Sequence, residues 1–441
     1  MAKILYDILP AKGHFHATLK MATLFINANH KVVYALSYDF KSEIEKHGFE
    51  YSQQIPMPTP TKTDSINNEG IKKNESPRKW LNEIKTLIHK IKPDIVLLDE
   101  QVAFKALYYV VLEIPVILFQ TKPDTRRIKG IPPFFQYYIP RENFINNFYC
   151  ILLWERRKLK ARIDFIFRLK ILKDKDPLGI CNSIVSAYGY NISQFIDLER
   201  SFGIGIKGLP RIVLSPKAFD FPHEEKTLVH RIGPLVNINR EGEINQPRYG
   251  ALIGKIKAFK YNNKGKVIYC SMGTITRQDI KRCTAFFQRI VKVAQLNSFD
   301  LIILSTGKHF EINKLLPLPE NVVVFEHLPQ IDLLQKCDIM ITHGGMNSIT
   351  ECVFCEIPML VYPLSMHWDQ PGNSARVVFH SLGLRGRIEK DSIRKISKKL
   401  NYLKKNYDFF QNNVVKMKKQ FERENNSNQV VEIIDIYSIK N

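Results

Sequence analysis

Ten short apolar runs, five in each half of the chain, constrain its fold more than any other feature. In the first half they fall at Lys3–Leu9, Val32–Ala35, Ile95–Leu98, Val116–Phe119 and Ile212–Leu214. In the second half they fall at Val267–Cys270, Leu301–Leu304, Val322–Phe325, Ile339–Ile341 and Met359–Tyr362. Each is continuous rather than alternating and is bounded by turn residues, as expected of strands buried on both faces. Segments with helical spacing separate them, so the pattern predicts an α/β chain with two parallel sheets covered by helices. A length of 441 residues with 44% hydrophobic content suits two or three domains and leaves a large core available. Gly233-Pro234-Leu235-Val236 and the polar stretch after it read as the junction, giving a first domain over 1–235, a linker over 236–262 and a second domain over 263–390.

The densest chemistry lies in Thr342-His343-Gly344-Gly345-Met346-Asn347-Ser348-Ile349-Thr350-Glu351, with Asp369, Gln370 and Asn373 close behind. An apolar strand here gives way to a glycine loop and then to a helix. The start of such a helix presents unpaired N–H groups and the positive end of its dipole, which suit a diphosphate. Asn347 and Ser348 fall in the first turn. Glu351 lies on the same face one turn later, where a carboxylate can accept hydroxyl hydrogen bonds from a ribose. Gly273-Thr274, just after a strand of the same half, could add N–H or hydroxyl contacts.

The N-terminus supplies a second edge. A strand over Lys3–Leu9, a loop over Pro10–Gly13 and a helix from His14 to Asn29 put His14 at the carboxyl end of a strand, where open α/β sheets bind ligands. A histidine base needs a partner that holds its tautomer and stabilises the imidazolium. Asp99, which ends the run Ile95–Leu98, is expected to emerge at the same sheet edge. His16 points away from His14 on a helix and competes weakly for the role.

These residues resemble the signature of the UDP-sugar-dependent glycosyltransferases of small molecules. The resemblance rests on His327-Leu328-Pro329-Gln330, the block His343 to Glu351, Ile357-Pro358, Pro363 and Asp369-Gln370-Pro371-Gly372-Asn373. It implies the GT-B fold, two Rossmann-like domains facing each other across a cleft, with C-terminal helices over 391–441 of which the last packs back on the first domain. It also implies that His327 and Gln330 lie by the nucleobase and that His343, Gly345, Asn347 and Ser348 lie by the diphosphate. Glu351 would then hold the ribose, and Asp369 with Gln370 the sugar hydroxyls, Gln370 favouring glucose. The resemblance points to the pair His14 and Asp99 as catalytic. There are departures. His327 stands where plant members usually have Trp, so the surface that stacks on the base is smaller. Met346 replaces another frequent Trp, and Glu356 stands where a Gly often ends the helix. Gly13-His14-Phe15-His16-Ala17 lacks the proline of the family's Gly-His-x-x-Pro.

The expectation is an inverting transferase that moves a hexose from a UDP-sugar to a hydroxyl of a hydrophobic small molecule, with no cofactor and no metal. Phe15 and Thr121 are expected in the acceptor pocket. An isomerase of the same fold and a silent nucleotide-sugar binder are the alternatives; neither needs a base at an acceptor entrance. Asp174-Lys175-Asp176 spells a metal-binding Asp-x-Asp, but it sits in a lysine-rich segment with no strand before it and reads as solvated surface.

Seven cysteines without regular spacing argue against a disulfide framework, and Cys352 with Cys355 reads as helix packing. The start has no adequate apolar stretch before its first acid, and no apolar run approaches bilayer length, so a cytoplasmic protein is expected. The net charge of +22 is concentrated. Between Lys122 and Lys175 stand fourteen Lys or Arg against five Asp or Glu, interleaved with aromatic residues. Leu152, Leu159, Ile163 and Ile166 recur there at helical spacing, which predicts an amphipathic helix and a peripheral contact with the anionic inner face of the membrane. No recognition motif accompanies the charge, so a nucleic-acid partner is not expected.

Overall fold

The computed structural model describes residues 1–55, 77–200, 203, 205–224, 229–235, 247–262, 265–273, 279–307, 310–366, 368–425 and 428–438. Seven parallel strands form the front sheet: β1 (Lys3–Asp7), β2 (Lys31–Leu36), β3 (Glu50–Gln53), β4 (Ile95–Asp99), β5 (Val116–Gln120), β6 (Arg211–Val213) and β7 (Val229–Arg231). Their order is β3-β2-β1-β4-β5-β6-β7. Six parallel strands form the rear sheet: β8 (Val267–Ser271), β9 (Leu301–Ser305), β10 (Val322–Phe325), β11 (Ile339–Thr342), β12 (Met359–Val361) and β13 (Gly383–Arg385), in the order β10-β9-β8-β11-β12-β13. All ten predicted strands are present.

The continuous apolar runs are explained by burial of both sheet faces. Along β1, Leu5 joins the core on one side of the front sheet while Ile4 and Tyr6 join the core on the other. Along β8, Val267 and Tyr269 serve one rear core, and Ile268 and Cys270 the other. Parallel sheets demand this double cover.

Part of the expected linker is not linker. Pro247–Asn262 is a helix whose Tyr249, Leu252 and Ile256 lie in the rear core; 236–246 fall outside the described residues. The chain passes to the rear lobe between Leu235, in the front core, and helix Pro247–Asn262, in the rear core, and returns between helix Tyr407–Glu424 and helix Gln429–Ser438; Phe219, ahead of β7, also packs in the rear core. The two crossings touch. A Cβ on Gly233, whose φ is +71°, would come within 2.7 Å of the Glu424 carbonyl oxygen, and Glu424 accepts the Ala218 N–H at 2.9 Å. Helix Gln429–Ser438 places Val430, Ile433 and Ile434 in the front core.

The lobes are also joined by a buried ion pair, Arg376 Nη2 to Asp220 Oδ1 at 2.6 Å. The aromatic segment contributes as well. The Tyr137 hydroxyl donates to the Gly386 carbonyl at 2.9 Å, and the Phe134 carbonyl oxygen fills the space where a Cβ on Gly372 would stand.

Candidate functional site

Both chemically dense stretches reach positions where strand order reverses, the places at which open α/β sheets take ligands. In the front sheet the reversal lies between β1 and β4, with Ile4 opposite Ile95 and Asp7 opposite Leu98. Asp99 therefore stands one step beyond the end of β1, next to the loop that leads into helix Lys12–Asn27. His14 is in the first turn of that helix, and its Nδ1 lies 2.6 Å from Asp99 Oδ2.

Burial of Asp99 would raise its pKa. The His14 ring, the hydrogen bond from it, the Gln101 backbone N–H and the Lys122 ammonium outweigh that effect and hold the carboxyl below its usual range. Asp99 is thus an anion at neutral pH, which puts the imidazole proton on Nδ1 and leaves a lone pair on Nε2. The side-chain nitrogen of Gln101 lies 2.6 Å from Nε2 and can donate to it. His14, Asp99, Gln101, Thr121 and Lys122 line one small cleft.

The rear sheet reverses between β8 and β11, and His343 follows β11 directly. Its ring lies between two glycines. A Cβ on Gly273 would come within 2.4 Å of the ring, and one on Gly345 within 2.6 Å. Gly344 adopts φ +84°, a left-handed conformation that favours glycine. His343 is half-buried as a residue, yet the surroundings of its ring are dense. Desolvation pushes the ring down to about 4 against the opposing pull of Asp369, so His343 is neutral at physiological pH.

Gly345 caps helix Met346–Phe354 without a side-chain hydrogen bond, so the first-turn N–H groups remain available to an anion. Gln330 donates to Glu351 Oε2 at 2.6 Å and to Ser348 Oγ at 3.3 Å, which gathers three predicted residues on one helix face. Asp369 accepts from Asn373 at 2.7 Å, and the same amide donates to the Gly344 carbonyl at 2.9 Å. Gln370 Oε1 accepts the N–H groups of Leu364 and Ser365 at 2.8 and 2.9 Å, so its amide nitrogen is the end left to act.

The two edges meet. Asn347 Nδ2 donates to the Gly13 carbonyl at 3.0 Å, which sets the start of the rear helix against the residue preceding His14.

Not every predicted residue joins this assembly. Phe15 is a correction: it is fully buried in the front core, its ring edge-on to Tyr34 and Phe40, because it faces inward from the helix that presents His14. His327 is exposed beyond the end of β10. Thr274 lies outside the described residues. Asp176 caps helix Pro177–Ala187 and pairs with Arg168 at 2.9 Å. Cys352 is fully buried, with its thiol pushed well above the ordinary range by burial. Glu356 adopts φ +62°, the left-handed turn that glycine often supplies.

Sequence reasoning missed Gln101 and Lys122. Lys122 is buried, 5.1 Å from the Trp368 ring centroid, and is influenced by Asp369 as well as Asp99. Its only signal was adjacency to Thr121, and for Gln101 adjacency to Asp99.

Residues 291–435 match the family described as erythromycin biosynthesis protein CIII-like, C-terminal domain. The chain is 36% identical over 99 residues to an uncharacterised UDP-glucosyltransferase, YojK, of Bacillus subtilis, covering 22% of this chain and 23% of that protein. It is 23% identical over 367 residues to the NDP-glycosyltransferase YjiC of the same organism, covering 80% and 77%. The glycotransferase of kitacinnamycin superposes with a TM-score of 0.66 at 18% identity over 99% of this chain and 98% of that one. The spinosyn rhamnosyltransferase SpnG complexed with thymidine diphosphate superposes with a TM-score of 0.62 at 13% identity, covering 99% and 100%. The chain has the GT-B fold. In GT-B terms, the front lobe carries His14 and Asp99 and the rear lobe the strand–glycine–helix unit. The match to the first Bacillus relative spans about a quarter of that relative's length, whereas both structural likenesses are full-length.

Proposed function

We propose that this chain transfers a hexose, glucose, from UDP-glucose to a hydroxyl of a hydrophobic natural product, with inversion at the anomeric carbon and without a metal. The observation that carries the reading is the pairing of His14 with Asp99 at 2.6 Å, set against the open N-terminus of helix Met346–Phe354 by the Asn347–Gly13 contact.

A sugar nucleotide already bears a good leaving group. The protein must remove a proton from the acceptor hydroxyl, hold it in line and meet the negative charge that grows on the departing diphosphate. His14 Nε2 takes the proton, and Asp99 stabilises the imidazolium that results. The first-turn N–H groups of the rear helix, with Asn347 and Ser348, receive the leaving charge. His343, being neutral, contributes a hydrogen bond and no net charge. Glu351, presented with Gln330, holds the ribose; Asp369 and the Gln370 amide hold sugar hydroxyls. Attack from the face opposite the diphosphate inverts the centre.

The reading is tested by incubating the full chain with UDP-glucose and a panel of flavonoid, sterol, carotenoid and macrolide alcohols in the presence of a chelator. Mass spectrometry should detect a hexose adduct, and NMR of the product a β-linkage. A product that appears only when a divalent ion is added, or one that retains the α-configuration, contradicts the mechanism. Conversion of UDP-glucose without any adduct indicates the isomerase alternative.

A further inference from the structure

We propose that helix Phe144–Phe167 docks the protein onto an anionic lipid surface, lying in the interface rather than crossing the bilayer. The helix has two apolar faces. One is internal: Cys150, Trp154, Ala161 and Phe165 are buried, and Trp154 Nε1 donates to the Ile131 carbonyl at 2.7 Å. The opposite face carries Ile145, Phe148, Leu152, Leu159, Ile163 and Ile166, each between 44 and 74% exposed. Their spacings of three, four and seven residues align them in one stripe along the helix. A contiguous apolar stripe turned to water on an otherwise folded lobe marks a binding surface.

The charges beside the stripe identify its occupant. The helix carries only two acids, Glu155 and Asp164, each bound to an arginine (Arg127 at 2.7 Å and Arg168 at 3.8 Å). Arg156, Lys160 and Arg162 are exposed beside the stripe and form no ion pair among the described residues. A second copy would set two identical basic flanks against each other in a chain already at +22, which like-charge repulsion opposes. An anionic lipid headgroup layer complements the flanks while the acyl boundary takes the stripe. No helix among the described residues is long and apolar enough to cross a membrane, so the contact is peripheral.

The test is co-sedimentation of the full chain with vesicles of phosphatidylcholine alone or mixed with phosphatidylglycerol. The chain should sediment with the mixed vesicles and not with the neutral ones, and added salt should release it. The triple substitution Leu152→Ser, Leu159→Ser and Ile163→Ser should weaken binding by roughly a hundredfold, and Arg156→Gln with Lys160→Gln by roughly tenfold. Leu159→Trp, a single exposed change, gives an independent reading: the fluorescence of the introduced indole should shift to the blue on mixed vesicles. The proposal is overturned if the chain ignores the anionic vesicles, if the triple variant binds as well as the parent, or if the emission of the Leu159→Trp variant stays unshifted. It is equally overturned if sedimentation velocity shows a dimer that the triple variant dissolves.

Discussion

The two rims of the crevice are built on different principles. The front rim consists of side chains that meet from separate strand ends: His14 after β1, Asp99 and Gln101 after β4, and Thr121 with Lys122 after β5. The rear rim is mostly backbone, made of a helix N-terminus, glycines packed around one neutral imidazole, and a carboxylate held by Gln330. Proton transfer needs a titratable group whose charge neighbours can tune; anion binding needs fixed dipoles that do not titrate. The contrast predicts that front-rim changes move turnover and its pH dependence, whereas rear-rim changes move donor affinity.

The sharpest test of that division is His14→Ala, which should lower turnover by roughly two to four powers of ten while leaving UDP affinity nearly intact, measured by steady-state kinetics and calorimetry. Parallel losses in both would erase the distinction. On the rear rim, Gly345→Ala would set a Cβ 2.6 Å from the His343 ring, forcing the ring to shift, and should weaken UDP binding by roughly tenfold. Turnover at saturating donor should change far less.

A smaller effect is expected from Gln101→Ala. In the proposed mechanism the amide occupies the ring nitrogen that accepts the proton, so removing it should raise acceptor kcat/KM by a few-fold, roughly two to five. A fall of the same size would mean that Gln101 positions the ring instead of competing for it. The smallest change belongs to Lys122→Met. Taking a cation from beside Asp99 makes the His14–Asp99 pair more basic, so the acid limb of the kcat/KM profile should move to higher pH by about one unit or less. An acid limb that does not move, with donor KM raised instead, would assign Lys122 to the sugar side through Asp369.

The rear rim was legible in the sequence because most of its parts are consecutive: strand, Gly344 and Gly345, first-turn polar residues and Glu351 fall between 339 and 351, with Gly273 and Gln330 coming from outside. The front rim was legible only where a residue type announced itself, as His14 and Asp99 did. Gln101 and Lys122 acquire meaning from the reversal of strand order, which brings β4 alongside β1 with β5 next beyond it. Phe15 was misplaced for a related reason: neighbours on a helix face different directions, so adjacency to His14 did not put it in the cleft. Three strands of the two large sheets escaped notice. Glu50–Gln53 is polar, and Val229–Arg231 and Gly383–Arg385 carry too few apolar residues to stand out. Gly383 pairs so closely with β12 that a Cβ would come within 1.9 Å of the Met359 carbonyl oxygen. The helix Pro247–Asn262 was mistaken for linker because its buried residues, Tyr249, Leu252 and Ile256, are diluted by Gly250, Gly254 and lysines.

Helix Gln429–Ser438 has a consequence during synthesis. The sheet that opens the chain is translated first, yet Val430, Ile433 and Ile434, which complete its core, leave the ribosome only after the whole rear lobe has been made. A nascent front lobe therefore waits with one apolar flank uncovered, and a transcript cut short before codon 430 yields a product whose first-made half stays sticky.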